Sequence, residues 1–369
     1  MLEDVALPPF HGSITIKHTF MQEEKEKSLY IASIDSMRVL AIFAVVYLHS
    51  MTLNINEYKG ELSRLLAIVT NQGARFAVPF FFIASGYFFG KKLQSGIGAR
   101  PLFIRYARRL SGILVKWSII YFIISISLQE IAEKGLSGAL YSKVHYWIID
   151  HPGRLLLEGT SGHLWFLVSL IIALGILTVL ISHGLDKTVP MVSISLYVFG
   201  LLGGAYSLTP LGFQFPFNTR NGPFFSTIFV AIGWWLSQNE FFVKASTACI
   251  ISSVGFLLHT TEALLLYKFY NVTPLFHDCL IGTLLYGTGV MLFALAKKDF
   301  LECTYLPALG KYTLGVYVSH ILFINMLKPL KPLFFSTSWV IIYPIAAYIF
   351  ALLSIVLLYR NRYLRNLVV

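Results

Sequence analysis

The sequence predicts an all-α, polytopic transmembrane helical bundle of about ten spans, with both termini on the cytoplasmic side. Three observations carry that prediction. Hydrophobic residues make up 56% of the 369 and charged residues only 13%, against about 25% charged in an average soluble domain. The mean hydropathy is +0.69, so too few polar residues remain to cover a water-soluble globule. The apolar residues also fall into ten segments, each near the roughly 20 residues that a helix needs to cross a bilayer.

Residues 1–30 are polar and of mixed charge, with Glu23, Glu24, Lys25, Glu26 and Lys27 in one run. They read as a cytoplasmic arm without a cleavable signal peptide. Residues 31–369 read as one transmembrane domain without internal repeats. The expected spans lie at roughly 34–54, 72–90, 107–129, 163–182, 190–207, 222–238, 245–267, 275–296, 311–328 and 338–359. Gly203, Gly204 and Pro210 blur the ends of the fifth and sixth. The segment 130–162 is amphipathic and aromatic, and reads as an interfacial stretch on the outer surface.

The net charge of +11 does not point to nucleic acid, because the basic residues sit in short clusters between apolar runs. They set orientation instead. With the N-terminus inside, seventeen of the 29 Lys and Arg fall on the inner side and nine on the outer. Lys91, Lys92, Arg100, Arg105, Arg108 and Arg109 are the densest inner group. Cys249, Cys279 and Cys303 show neither metal-ligand spacing nor a disulfide framework.

Ionisable groups inside spans are costly and by default mark function. The first span reads Asp35-Ser36-Met37-Arg38, then ten residues, then His49. Eleven residues at 100° come to within about 20° of three whole turns, so Arg38 and His49 share one face about 16 Å apart. Asp35 is placed to pair with Arg38 at i, i+3. Two readings stand: Arg38 binds an anionic group and His49 is a base or transient carrier, or Arg38 snorkels and His49 bonds a neighbouring helix. In the second span Arg75 lies near the outer edge, Pro79 disturbs the helix, and Ser85-Gly86 permits close helix approach. His163 and Trp165 open the fourth span, as belt residues or as site residues. Arg220-Asn221 precede the sixth, as a cap or as a binder of acceptor hydroxyls. His320, in the ninth, is expected about 13 Å deep, level with His49. Glu262, His277 and Asp278 lie toward the outside and read best as structural.

These residues resemble acyltransferase family 3, the integral membrane O-acyltransferases of surface glycans. The resemblance runs from about residue 31 onward. It rests on Ile34-Asp35-Ser36-Met37-Arg38 with His49, on Pro79 through Tyr87, on His163-Leu164-Trp165-Phe166-Leu167, on Arg220-Asn221 and on Tyr317-Val318-Ser319-His320. The branch it looks closest to contains the O-acetyltransferase of enterobacterial common antigen. The resemblance implies a bacterial inner-membrane enzyme. Its donor substrate would be cytoplasmic acyl-CoA, usually acetyl-CoA, with no permanently bound cofactor. Its acceptor would be a hydroxyl of a glycan or lipid-linked sugar. It implies His49, with His320, as catalytic residues, and Arg38, Asp35 and Arg75 on the donor side. His163, Trp165, Arg220, Asn221 and Ser85 would then bind the acceptor or hold the site. The competing class is a transporter or flippase for a lipid-linked sugar, which midplane charges also fit. A metal site from His49, His163 and His320 is disfavoured, because the three are expected at different depths and none forms an i, i+4 pair.

Overall fold

The computed structural model describes residues 30–51, 60–239, 243–333 and 336–368. The expected N-terminal arm, apart from Tyr30, lies outside them. Among the described residues there are fourteen α-helices and no strand. They are α1 (Ala32–Ser50), α2 (Glu61–Gly73), α3 (Ala77–Gln94), α4 (Ala99–Ile124), α5 (Leu128–His145), α6 (Pro152–Glu158), α7 (Trp165–Ser182), α8 (Val189–Leu202), α9 (Pro223–Gln238), α10 (Ala245–Tyr270), α11 (Ile281–Ala296), α12 (Leu306–Leu309), α13 (Thr313–Leu327) and α14 (Ser336–Arg360).

Among the described residues each of the ten expected segments contains a helix, though several are shorter than expected. Among the described residues six stretches are long and apolar enough to cross a membrane alone: Ala32–Ser50, Glu61–Gln94, Gly162–Ser182, Ala245–Tyr270, Leu306–Leu333 and Trp339–Arg360. A seventh arises if α4 and the following Leu128–Asp150 stretch, bent at 108°, count as one. The expected ten is thus met only in part. The shortfall lies in α8, α9 and α11, with 14, 16 and 16 residues. At 1.5 Å per residue these reach about 24 Å or less, short of a 30 Å hydrocarbon core. The causes are local. Gly203 and Gly204 end α8, Pro223 starts α9, and the loop before α11 takes residues that the hydropathy pattern gave to a span.

Several boundaries differ from expectation for similar reasons. α4 begins at Ala99, so Arg100, Arg105, Arg108 and Arg109 lie on a helix and not in a connection. Segment 130–162 is a chain of short helices that exposes Leu136, Tyr141, Ile148 and Ile149. Pro79 has no N–H for the carbonyl of Arg75 four residues back, and the chain tightens to a single 3₁₀ turn at Ala74–Phe76.

α1 is central, packing on α3, α11, α12, α13 and α14. α3 in turn lies against α9 and α11, and α7 lies between α4 and α9. The α3–α9 approach depends on missing side chains. A Cβ on Gly86 would stand 2.1 Å from the Val230 carbonyl oxygen, and one on Gly233 would stand 1.9 Å from that of Ile83. Where α1 crosses the turn before α13, a Cβ on Gly310 would come within 2.7 Å of Asp35. That contact brings Asp35, Arg38 and Lys311 to one end of the bundle.

Candidate functional site

Three histidines from three elements meet inside the bundle. His49 sits in the last turn of α1. His163 lies on the single turn Gly162–Leu164 that leads into α7. His320 is midway along α13. Their ring centroids are 5.1 Å apart for His49–His320, 5.1 Å for His163–His320 and 6.4 Å for His49–His163. The expected level match of His49 and His320 is therefore observed. The expectation that His163 lies at a different depth is not, because α7 starts inside the bundle and not at its rim. Even so, among the described residues no group of three or more His, Cys, Asp or Glu is arranged to hold a metal ion.

The hydrogen bonds divide the three rings by role. His163 Nε2 faces the Val318 carbonyl at 3.3 Å, so for a neutral ring that nitrogen carries the proton. Its Nδ1 then accepts from the Ser161 hydroxyl at 3.0 Å. Tyr317 donates its hydroxyl to the His163 carbonyl. Tyr121, whose ring meets His163 edge-on at 5.1 Å, donates to the Val318 carbonyl at 2.8 Å. Both His163 nitrogens are thus occupied. His320 differs. Its Nδ1 faces the Tyr317 carbonyl and so carries the proton, while its Nε2 is buried without a partner. That leaves a free lone pair beside His49. His49 itself is accessible to water.

A second polar group surrounds Asp278, in the loop between α10 and α11. Its two carboxylate oxygens take one arginine each: Arg75 on Oδ1, and Arg220 on Oδ2 at 2.7 Å. Arg75 is saturated, giving Nε and Nη2 to the Asn71 side chain at 3.1 and 2.9 Å and a further Nη2 bond to the Leu275 carbonyl. Arg220 lies over the Trp165 ring, 5.3 Å from its centroid. Asn221 donates to Glu158 at 2.7 Å. Burial alone would push the Asp278 carboxyl up, but Arg220 and Arg75 outweigh it and hold the group below its ordinary range. His49 lies within Coulombic reach of Arg220, Asp278 and Arg75.

Arg38 and Asp35 form the expected pair, Nη1 to Oδ1 at 2.7 Å. They stand at the mouth of a cavity of about 440 Å³. Lys92, Arg109, Lys311, Tyr30 and Tyr106 complete the mouth. The walls are apolar, formed by Val78, Phe81, Phe88, Phe166, Leu170 and Leu314, with Ser85 among them. The inner end is marked by Val45 and Tyr317, one turn before His49 and His320 respectively. Arg75 is not at this mouth. It precedes α3 while Lys92 lies in that helix's last turn, so the expected grouping of Arg75 with Arg38 around a donor is separated by the length of α3.

The family model described as "Acyltransferase domain" matches residues 31–360. The chain belongs to acyltransferase family 3. Within that family assignment it is similar to a "Serine/alanine racemase" of Enterococcus gallinarum, 27% identical over 242 residues, covering 62% of this chain and 32% of that protein. It is also similar to an "Amino-acid racemase" of Enterococcus faecalis, 26% identical over 302 residues, covering 78% of this chain and 40% of that protein. The chain thus spans about a third of the length of the curated relatives it matches. No solved structure matches it. The family assignment supports a membrane-embedded acyltransferase. Sequence reasoning singles out His49, His163, His320, Trp165, Arg220, Asn221 and Arg75, which the fold gathers around the histidines and Asp278, and Arg38, Asp35 and Ser85, which line the cavity instead. It gives Tyr317 no role beyond its motif, misses Tyr121, Ser161 and Glu158, and ranks Asp278 as structural. The signal for Asp278 was present, as a carboxylate at the edge of an apolar run.

Proposed function

We propose that this protein moves an acyl group, most simply acetyl, from cytoplasmic acyl-CoA to a hydroxyl of a glycan or lipid-linked sugar at a bacterial inner membrane. The observation that carries the reading is the cavity itself. It runs from a cationic mouth along an apolar passage to Val45 and Tyr317, one helical turn short of His49 and His320, and that sequence of environments suits a nucleotide thioester: phosphates, then a thin arm, then the reacting carbonyl. Arg38, Lys92, Arg109 and Lys311 supply counter-charge to phosphates. Arg38 is held for this by Asp35 and lies 4.9 Å over the Phe88 ring.

At the inner end, His49 is the general base. His320 orients it: the free Nε2 lone pair accepts an N–H from His49, which leaves the other His49 nitrogen basic toward the acceptor hydroxyl. The hydroxyl oxygen attacks the thioester carbon as His49 takes its proton. The C–S bond then breaks, and the proton passes to the departing CoA sulfur. His163, with both nitrogens bonded, fixes the wall. With the basic mouth in the cytoplasm, both termini lie inside, and α8, α9 and α11 cross as the remaining short spans of a ten-span bundle. The Arg75–Asp278–Arg220 end then faces the acceptor from the opposite side.

The test uses purified protein in nanodiscs with radiolabelled acetyl-CoA and a lipid-linked sugar. Label should transfer with wild type, and His49→Ala should lose it by at least the 10²–10⁴-fold typical of a general base. Transfer that survives His49→Ala unchanged would sink the assignment. Sugar movement across the bilayer without need of acyl-CoA would favour a transporter instead. Arg38→Ala should weaken CoA binding while leaving the fold intact.

A further inference from the structure

The two arginines on Asp278 are not equivalent. Arg75 spends every nitrogen on Asn71, Leu275 and Asp278. Arg220 makes one side-chain hydrogen bond among the described residues, from Nη1 to Asp278, and its Nε is without a partner. The pair of cations on one carboxylate leaves a net positive charge, and the unspent donors belong to Arg220.

Arg220 is also held in place from several directions. Its backbone N–H donates to the Asn218 side chain at 3.1 Å. Two residues on, Gly222 has φ +80°, a conformation that favours glycine, and its N–H donates to Ser169 Oγ at 2.9 Å. The guanidinium plane rests on Trp165, itself packed against Phe82 and Phe225. Asp278 fixes one arm of the fork. A guanidinium anchored through one nitrogen, backed by an indole and left with free N–H groups has little reorganisation to undergo when charge develops beside it. His49 lies within electrostatic reach of this guanidinium.

We propose that Arg220 is a catalytic residue whose free N–H groups stabilise the oxyanion of the acyl-transfer intermediate, with Asp278 positioning it and Arg75 acting as the strut that holds Asp278. This rests on the acyltransferase reading above. As the acceptor oxygen bonds to the thioester carbon, the carbonyl π pair moves onto oxygen. That negative charge forms beside a cation already held in place, so little reorganisation is needed as it develops. When the C–S bond breaks, the pair returns to the carbonyl, and the CoA sulfur leaves with the proton held by His49. Asp278 does not titrate in the step. Its role is to keep the fork from turning.

The test measures kcat, acceptor KM and acyl-CoA affinity for nanodisc-embedded protein. Arg220→Gln should lower kcat by about 10²–10³-fold, the range for loss of one oxyanion donor, with acyl-CoA affinity and acceptor KM within about twofold. In Arg220→Ala, added guanidinium at millimolar concentration should restore part of kcat. If Arg220→Gln does not fold, Arg220→Lys carries the same test, because it keeps a charge near Asp278 but loses the fork and should still lose at least about tenfold in kcat. A wild type that transfers acyl groups and an Arg220 variant with unchanged kcat would overturn the proposal alone. So would a loss confined to acceptor KM, which would make Arg220 an acceptor binder. A wild type with no acyl transfer at all would overturn the acyltransferase reading and the proposal with it.

Discussion

Replacing Asp278 with Asn removes one charge while keeping the shape of the group between Arg75 and Arg220. Breaking a buried ion pair from one side costs about 3–5 kcal/mol, mostly through the charge left unpaired. The upper figure does not apply here. The side chains of Asp278 and Arg220 are 24% and 25% exposed, so water screens that half of the arrangement, whereas the Arg75 side chain is only 8% exposed. Arg75 also keeps its bonds to Asn71 and Leu275. The expected loss is therefore about 2–3 kcal/mol, set by Arg75. At about 2 °C per kcal/mol for a chain of this size, that is a fall of roughly 4–6 °C in the melting midpoint. The assay is thermal unfolding in nanodiscs at a fixed scan rate, since membrane proteins of this size often unfold irreversibly. Adding Arg75→Met to Asp278→Asn should recover most of the loss, because the stranded cation is then gone. The gap between Asp278→Asn and wild type should stay constant from about pH 5 to 8. The carboxyl of Asp278 is held below its ordinary value, so its contribution is complete above about pH 4 and disappears only as the pH falls through that lower value. A single variant melting within about 1 °C of wild type, or a double variant that loses more than the single, would refute the claim that Arg75 depends on this charge.

Two further outcomes are expected. Burial, and then Arg75, push the His277 imidazole down from 6.5 to about 4, against the opposing pull of Asp278; its neutral form is favoured by folding, so this stability is complete above pH 6.5 and is lost between 6.5 and 4. That window is worth about 3 kcal/mol, and His277→Gln should flatten the melting curve's dependence on pH across it. Gly86→Ala should fail to reach the wild-type melting point by more than the 1–3 kcal/mol of ordinary overpacking, because its Cβ would meet backbone, the Val230 carbonyl at 2.1 Å, and not a side chain able to turn away; a wild-type melt would show that α3 and α9 slide apart easily.

Hydropathy located the long apolar helices, since the cost of unpaired backbone in lipid leaves helices as the only solution for such segments. The Asp35–Arg38 pair was also legible, because i, i+3 geometry is local. What sequence could not supply was adjacency between helices. Asp278 meets residues 203 and 58 positions away, and no periodicity reports such contacts. Arg75 and Arg38 looked alike as cations near span ends, and only the direction of α3 separates them. The extent of α8, α9 and α11 was overread for a related reason: hydropathy windows do not register where Gly and Pro turn apolar chain out of a helix.

The position of the histidines follows from the same constraint on backbone. His49 ends α1 and His163 precedes α7, so two of the three stand at helix ends, where N–H and C=O groups lack intrahelical partners. Inside a bilayer such ends survive only where protein or a cavity satisfies them. At His163 a side chain does so, with Tyr317 bonding its carbonyl, while His163 and Tyr121 both reach that of Val318 on the unbroken α13. The tyrosine that satisfies this interruption is therefore also one that fixes the His163 imidazole. Replacing Tyr121 with Phe would remove one of the two donors to Val318 without emptying the site, so any effect on transfer would measure how far the orientation of α13, and with it the free lone pair of His320, depends on that support.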